Sequence, residues 1–256
     1  MTKSAQPKKP ASNHDCIADA ELELLSQIFL FADLPQKRLF TALKNCQCLR
    51  LSGKKVVYRQ GEAGEEMCII LSGLMKISTR SADGKEIIFD LLSKGDFFGE
   101  LSLLDGEPRT ATVTTLVPSV LIVLKRDCFI QLLEDNPTTS IRLLQLLAHR
   151  LRATDKFLEE VFFHDSETRL AKRVMVLEDI YGKATKKTTQ AGLNVSQQEM
   201  ANLIGITRER VNKLLKKWER AKIISLQHNH LTVLNPALLQ KLASQSREKK
   251  YPKSVT

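Results

Sequence analysis

A glycine and a carboxylate are followed, nine residues later, by an Arg-Thr-Ala triplet in the first half of the chain. Gly99 has no Cβ, so the main chain can approach a bound molecule closely there, and Glu100 can accept hydrogen bonds from sugar hydroxyls. Arg109 offers a planar fork of donors to a phosphate. The Thr110 hydroxyl and the main-chain N–H groups of Thr110 and Ala111 can complete an anion nest. An acceptor for sugar and donors for phosphate together predict a nucleotide site.

Taken one by one, these residues have simpler interpretations. Glu100 and Arg109 could form a surface ion pair worth about 0–1 kcal/mol, and glycines often make turns. The nucleotide interpretation therefore depends on the elements that hold the residues and on the rest of the chain.

Short apolar runs, broken by glycine and other turn residues, surround this stretch. They are Lys55–Tyr58, Met67–Leu71, Leu74–Thr79, Glu86–Leu92, Ala111–Leu116 and Val120–Leu124. Runs at this spacing predict strands of a closed antiparallel roll, and Asp83-Gly84 predicts a type I′ hairpin turn. Two amphipathic helices are predicted ahead of them, Asp19–Ala32 and Gln36–Cys46. The candidate site is then a loop and short helix inserted between strands.

A helix of about 27 residues and about 40 Å is predicted from Pro137 to Phe163, because neither Gly nor Pro interrupts it after its start. Apolar residues recur along it at alternating spacings of three and four, with Thr154 in the same series. They are Leu144, Leu147, Leu151, Leu158 and Val161. This pattern predicts a coiled-coil seam and a parallel homodimer, in which a polar Thr154 would fix register.

A helix-turn-helix is predicted further along the chain. Ser196 and Glu199 have the spacing of a capping box, Gly205 marks the turn, and Thr207 can cap the second helix. That helix has one apolar face and one polar, basic face, which is typical of a recognition helix in the major groove. Two apolar runs after it, Ile223–Leu226 and Leu231–Leu234, predict a hairpin wing. The candidate DNA-contacting residues are Ser196, Gln197, Thr207, Arg208, Glu209, Asn212, Lys213 and Lys216.

The charge distribution supports that interpretation, although a charged helix face is usually only a solvated one. The formal net charge is +10, and all of it lies beyond residue 164, because residues 1–164 hold equal numbers of basic and acidic side chains. A basic second part predicts a phosphate-rich partner. The chain lacks an apolar run of the ~18 residues that a membrane span needs and a signal peptide. We therefore expect a cytoplasmic protein without a membrane partner, and five scattered cysteines fit a reducing compartment.

The string from Gly95 to Val113 resembles the phosphate-binding cassette of cyclic-nucleotide-binding domains. With the helix-turn-helix, it makes the chain resemble the bacterial regulators of the Crp/Fnr family, above all the cyclic-AMP receptor type, over roughly residues 21–240. The resemblance implies contacts to phosphate and ribose from Gly99, Glu100, Leu101, Arg109, Thr110 and Ala111.

The resemblance also implies base contacts from Thr154 and Asp155 on the dimer helix, one of them reaching across from the partner subunit. Threonine matches the cyclic-AMP receptor pattern, whereas Asp155 departs from it. An ionised Asp accepts hydrogen bonds and does not donate, so it suits the adenine amino group or guanine N1–H and N2–H and repels guanine O6. We therefore favour cyclic AMP as effector, with cyclic GMP as the alternative. Arg150, just upstream, could pair with Glu100 or be an ordinary exposed residue.

In the family, the positions that match Arg208, Glu209 and Lys213 contact base edges. Arg208 could bind guanine O6 and N7, and Glu209 could accept from cytosine N4. Lys213 replaces the family's usual Arg, so we expect weaker guanine recognition there and leave the half-site sequence open.

Three other functions compete with this one. A redox or gas sensor on the same scaffold would need a tight N-terminal cysteine cluster, and the chain offers only Cys16 there, with Cys46-x-Cys48 too short for a metal site. An enzyme with a cyclic-nucleotide-binding regulatory half is disfavoured, because no catalytic motif is present and no room remains for a catalytic domain. A regulator that acts without any ligand stays open, although the intact cassette spacing argues against it.

The predicted protein is thus α+β, neither an enzyme nor a metalloprotein. Its segments are a disordered arm (1–18), an antiparallel β-roll that binds the cyclic nucleotide (19–136), a dimerisation helix (137–164), a winged helix-turn-helix domain (165–240) and a basic flexible tail (241–256). Nucleotide at the dimer helix would reorient the two recognition helices for a palindromic site in double-stranded DNA. RNA polymerase is a further expected partner.

Overall fold

The computed structural model describes residues 25–43, 46–185, 193–227 and 230–244. The predictions made for the arm, for Cys16, for the start of the first helix, for the tip of the wing and for the tail beyond residue 244 lie outside these residues. Boundaries after Ile77, Asp90 and Gln145 divide the chain into two compact units. The first unit holds the described residues up to 77 and residues 91–145. The second holds residues 78–90 and the described residues from 146 onward, and each unit is described by itself.

The first half of the chain is mostly β-strand. Its elements are a 3₁₀ helix Phe29–Phe31, α1 Gln36–Leu43, β1 Gln47–Leu51, β2 Val56–Tyr58, β3 Glu66–Ser72, β4 Leu74–Arg80, β5 Glu86–Ser93, β6 Phe97–Phe98, α2 Glu100–Asp105, β7 Thr112–Thr115, β8 Ser119–Lys125 and α3 Arg126–Asp135. All six predicted strands are present. The predicted α-helix ending at Ala32 is wrong at that end, because Phe29–Phe31 is a 3₁₀ helix.

The strands form two four-stranded sheets, with the orders β1-β8-β3-β6 and β2-β7-β4-β5. The β3–β8, β1–β8 and β2–β7 pairs are antiparallel. Both sheets contribute to one apolar core, made of Tyr58, Cys68, Ile70, Met75, Leu92, Phe98, Val113, Leu121 and Val123. The antiparallel roll is therefore confirmed, and its core positions the loops that carry the cassette.

The turn between β4 and β5 differs from the prediction. A type I′ turn needs positive φ at both central residues, but among the described residues only Lys54, Lys222 and glycines have positive φ, and Asp83 does not. The Gly84 N–H donates to the Ser81 carbonyl at 2.9 Å, so Ala82 and Asp83 are the central residues of the turn and Gly84, at φ 81°, is its last residue. Asp83-Gly84 is thus not a two-residue I′ loop.

The remaining elements are mostly helical. They are α4 Pro137–Phe163, α5 Ser166–Thr185, β9 Leu193–Asn194, α6 Gln197–Ile204, α7 Arg208–Arg220, β10 Ile224–Gln227, β11 His230–Val233 and α8 Pro236–Ala243. The long helix α4 has its predicted bounds. Strands β9, β10 and β11 form a sheet in the order β10-β11-β9, and α6 and α7 make the predicted helix-turn-helix ahead of the β10–β11 wing. Within the described ranges, no helix is long and apolar enough to cross a membrane.

Candidate functional site

The cassette residues lie where two strands meet a short helix in the first unit. Gly99 follows β6 and immediately precedes α2, and its φ of 90° is a conformation that glycine adopts without strain. Glu100 is the first residue of α2 and is 2% exposed, while Arg109, just ahead of β7, is 5% exposed. Because both side chains are buried, the interpretation of this pair as a surface ion pair is wrong.

The guanidinium of Arg109 points into the protein. Nη1 donates to the Gly99 carbonyl at 2.7 Å and Nη2 donates to the Glu66 carbonyl. Its Cζ lies 3.8 Å from the centroid of the Tyr58 ring. Nε is buried and has no hydrogen-bond partner among the described residues. We call this arrangement the guanidinium slot, made by Tyr58, Glu66, Gly99 and Gly64.

Two glycines leave the space that the guanidinium fills. A Cβ on Gly64 would lie 2.7 Å from Cζ of Arg109 and 2.8 Å from its Nε. A Cβ on Gly99 would lie 2.7 Å from Nη1 of Arg109 and 2.9 Å from Cε2 of Tyr58. Real Cβ atoms do not approach other atoms so closely, so any larger residue at either position would displace the cation.

Tyr58 and Cys68 form a buried pair beneath the slot. The Tyr58 hydroxyl donates to the Glu66 carbonyl at 3.2 Å and lies 3.1 Å from Sγ of Cys68. Burial raises the pKa of the Tyr58 phenol far above its ordinary value, and burial raises the pKa of the Cys68 thiol to about 12. Both groups therefore stay neutral at physiological pH, and neither compensates the charge of Arg109.

Sequence reasoning missed Tyr58, Gly64 and the Glu66 carbonyl. A register shift between Val56 and Tyr58 in the β2–β7 pair is the local irregularity at this place, and such bulges re-aim side chains. The only sequence signal was an aromatic residue at the end of an apolar run, which by itself does not predict a contact with Arg109.

The other predicted phosphate and ribose residues lie around the slot with different exposures. Thr110 is exposed and Ala111 is buried at the start of the strand region, while Leu101 on α2 is 40% exposed. The main-chain N–H of Arg109 donates to the Glu62 carbonyl at 2.8 Å. This hydrogen bond keeps the loop close to the guanidinium slot. The contacts of Leu101, Thr110 and Ala111 with a ligand stay a prediction.

The predicted base-contacting residues belong to α4 in the second unit. Thr154 and Asp155 are exposed and Arg150 is half-buried. The Thr154 hydroxyl donates to the Arg150 carbonyl at 3.0 Å, one turn earlier in the helix. A role of these residues toward the base therefore also stays a prediction.

The predicted dimer seam is an apolar stripe on the surface of the single chain. Four of its leucine and valine side chains are 40% to 65% exposed, and Leu147 is half-buried. The four are Leu144, Leu151, Leu158 and Val161. A stripe of this size costs free energy in water unless another surface covers it.

The helix-turn-helix has the predicted caps. The Glu199 N–H donates to Ser196 Oγ at 3.1 Å, and the Ser196 N–H donates to Glu199 Oε2 at 2.9 Å, which completes the capping box. Gly205 ends α6 at φ 65°. Thr207 caps α7 by accepting from the Arg210 N–H at 3.3 Å. The start of the recognition helix is thus fixed by local hydrogen bonds.

Most of the candidate DNA-contacting side chains of α7 reach solvent. Thr207, Arg208, Glu209, Lys213 and Lys216 are exposed, whereas Ser196, Gln197 and Asn212 are half-buried. The carboxyl group of Glu209 accepts a hydrogen bond from the main-chain N–H of Glu209 and a second one from the Thr207 hydroxyl. These two hydrogen bonds, the first more than the second, lower the pKa of Glu209. The opposite face of α7 packs into the unit through Val211, Leu214, Leu215 and Trp218. The helix therefore presents a polar surface on a rigid support.

The cysteines show no sign of a metal site in the part of the chain that the structure describes. Cys46, Cys48, Cys68 and Cys128 are free thiols. Burial, together with the neighbouring Cys128, raises the pKa of Cys46 to about 12. No group of three or more His, Cys, Asp or Glu side chains is arranged to hold a metal among the described residues.

Comparison with known proteins identifies two domains in the chain. The model of the cyclic nucleotide-binding domain matches residues 48–136, and the model of the Crp-like helix-turn-helix domain matches residues 168–242. The "CRP-like cAMP-activated global transcriptional regulator" of Mycobacterium tuberculosis is 30% identical over 221 residues, which are 86% of this chain and 99% of that protein. The "cAMP-activated global transcriptional regulator CRP" of Escherichia coli O157:H7 is 28% identical over 192 residues, 75% of this chain and 91% of that protein.

The fold also matches solved structures. A Crp/Fnr-family regulator from Eubacterium rectale superimposes with a TM-score of 0.71 at 16% identity, covering 84% of this chain and 98% of that one. At this identity the similarity speaks for the fold alone.

Proposed function

Since this chain belongs to the Crp/Fnr family of cyclic-nucleotide-binding transcription regulators, we propose that it is a homodimer that binds cyclic AMP and, in response, a palindromic site in double-stranded DNA. The family consists of regulators and not of enzymes.

The observation that carries the nucleotide part is the state of Arg109. Its guanidinium is buried, but the two acceptors it bonds are main-chain carbonyls, which do not neutralise its charge. Burying a cation is costly unless its donors are satisfied, and Nε of Arg109 has no hydrogen-bond partner among the described residues; a cyclic phosphate would supply an anionic acceptor. We assign the phosphate to Arg109, Thr110 and Ala111, and the ribose to Gly99 and Glu100 with Leu101 beside them.

The base is assigned to Thr154 and Asp155 of the dimer helix, with Arg150 one turn away. Cyclic AMP is favoured because an ionised Asp155 accepts from the adenine amino group and repels guanine O6. The similar proteins from M. tuberculosis and E. coli, both named as cAMP-activated, support the same choice.

The DNA part of the proposal rests on α7. Its exposed Arg208, Glu209 and Lys213 would contact base edges, with Thr207, Asn212 and Lys216 beside them and Ser196 and Gln197 at the start of α6. Two such helices in a homodimer, about 34 Å apart, would occupy successive major grooves of a palindrome. The apolar stripe of α4 is the proposed dimer contact, and RNA polymerase is a proposed partner of the DNA-bound dimer.

Ligand binding and DNA binding are coupled in this proposal through α4. A nucleotide can favour one packing of the two long helices only by binding that state more tightly than the other. Base contacts at the dimer seam provide such a difference, because Thr154 belongs to the same series as the seam leucines.

Calorimetric titration of the purified protein with cyclic AMP, and separately with cyclic GMP, tests the nucleotide part. We expect saturable binding near one nucleotide per chain, with cyclic AMP preferred. Arg109→Ala should weaken it by about 1.5–3 kcal/mol, the value of a hydrogen bond to a charged group. Arg126→Ala is the matched control, because Arg126 also donates to a main-chain carbonyl, that of Leu103 at 3.1 Å, but lies outside the slot.

Two results would contradict the proposal at different places. If a folded wild-type protein gives no heat with either nucleotide at two temperatures, the cyclic-nucleotide response is wrong, and a regulator without this ligand replaces it. Tighter binding of cyclic GMP would overturn the assignment of Asp155 alone.

A further inference from the structure

The ring of Tyr58 covers the guanidinium of Arg109. We propose that Tyr58 is a positioning residue for the phosphate-binding cation: it holds the guanidinium plane in one orientation, so that a cyclic phosphate meets Arg109 with a fixed face. This inference rests on the proposed function, because the phosphate is that of a cyclic nucleotide.

The contact is close and has little freedom. Cζ of Arg109 lies 3.8 Å from the Tyr58 ring centroid, well inside the ~6 Å range of cation–π attraction. The ring is itself held, because the Phe98 ring packs edge-on against it at 5.5 Å between centroids. The Tyr58 hydroxyl donates to the Glu66 carbonyl, the same oxygen that accepts from Nη2 of Arg109. Ring and guanidinium are thus tied to one acceptor as well as stacked.

The Tyr58 ring also leaves the positive charge of Arg109 available to a phosphate. A carboxylate beside Arg109 would compete with a phosphate, whereas a neutral ring attracts the cation without neutralising it. Tyr58 is neutral, because burial raises the pKa of its phenol. Main-chain carbonyls hold Nη1 and Nη2, and Nε is a buried donor without a partner in the described chain. The stacking and these two hydrogen bonds together fix where the remaining donors of Arg109 point.

The phosphate oxygens provide a readout of this orientation. In the two phosphorothioate isomers of cyclic AMP, sulfur replaces one or the other exocyclic oxygen of the phosphate. The ratio of their affinities therefore reports which of the two oxygens faces the Arg109 guanidinium. We expect the wild-type dimer to prefer one isomer, and Tyr58→Leu to reduce that ratio at least about fivefold while cyclic AMP affinity falls about tenfold or more. Tyr58→Phe keeps the ring and should keep the ratio within about twofold.

Loss of core packing alone predicts a different result. Leu121→Ala removes a fully buried side chain from the same apolar core but leaves the guanidinium slot intact, so it should leave the isomer ratio unchanged. If Tyr58→Leu weakens both isomers equally, as a merely destabilised domain would, the positioning role of Tyr58 is wrong.

A second measurement works without any nucleotide. In the isotope-labelled full-length protein, the Nε–Hε NMR signal of Arg109, identified by its loss in Arg109→Lys, should be shifted upfield by the Tyr58 ring. The shift should persist in Tyr58→Phe and disappear in Tyr58→Leu; an unchanged signal in Tyr58→Leu overturns the stacking. If wild type binds no cyclic nucleotide, the proposed function fails while this signal still decides whether Tyr58 orients Arg109.

Discussion

The indole Nε1 of Trp218 donates a hydrogen bond to Glu167 Oε1 at 2.8 Å. Trp218 is fully buried on the inner face of the recognition helix α7, and Glu167 lies in the first turn of α5. Lys217 pairs with the other oxygen of the same carboxylate at 2.7 Å. One acidic side chain thus fastens the recognition helix to the helix behind it.

Glu167→Ala should destabilise the second unit, because it leaves the buried indole N–H without its acceptor. We expect a loss of about 1–3 kcal/mol, most of it from Trp218, since the exposed pair with Lys217 is worth at most about 1 kcal/mol. Urea unfolding followed by the fluorescence of Trp218, the chain's single tryptophan, measures it. Glu167→Gln keeps an acceptor and should lose much less; equal losses in the two variants would contradict the role of this hydrogen bond.

Gly99→Ala should close the guanidinium slot. The added Cβ would lie 2.7 Å from Nη1 of Arg109 at φ 90°, so we expect about 1–2 kcal/mol of backbone strain and at least a tenfold loss of cyclic AMP affinity. Gly84→Ala is the control, because Gly84 has φ 81° but open space around its Cβ position. It should show a similar loss of stability with unchanged nucleotide affinity in titration calorimetry; if both variants bind normally, the slot does not bind the phosphate.

Glu209→Ala should relax the preference for one base pair in each half-site, at a cost of about 1–3 kcal/mol for that base pair. The pKa of Glu209 is lowered from its ordinary value of 4.5, so the side chain is ionised at every pH above 4.5. Its negative charge is lost only when the pH falls through the lower pKa of the folded protein. We therefore expect wild-type base preference to be the same from about pH 8 to about pH 5. Selection from a random DNA pool measures both effects. Lys216→Ala removes a positive charge beside the proposed base contacts and should instead weaken all sequences alike.

Leu151→Lys should break the proposed dimer. Leu151 is 63% exposed in the single chain, and a lysine there would bring a charge into each half of an apolar interface. We expect the dissociation constant of the dimer, measured by analytical ultracentrifugation, to rise at least about tenfold and binding to a palindromic site to be lost. His149→Lys places the same charge off the seam and should leave the dimer intact. A Leu151→Lys protein that sediments as the wild type would exclude α4 as the dimer contact.

Local signals in the sequence were sufficient for the second unit's helix-turn-helix. The caps at Ser196 and Thr207 and the turn at Gly205 depend on residues three or four apart, and the bounds of Pro137–Phe163 follow from one uninterrupted helical pattern. Strand β1 and helix α3 were missed. Gln47–Leu51 has no fully buried residue and no regular alternation between exposed and half-buried positions. Helix α3 follows β8 directly, without a Gly or Pro to mark its start.

The sequence by itself determined which chemistry is available: the cassette spacing of Gly99, Glu100 and Arg109, the basic second part and the recognition helix can all be read from neighbouring residues. Only the tertiary structure decided how Arg109 is used. Its guanidinium is held by the Glu66 carbonyl, 43 positions away, and by the ring of Tyr58, and it fits because Gly64 leaves the space. Sequence periodicity contains no information on such contacts, because they form only when strands distant in the chain return to one core.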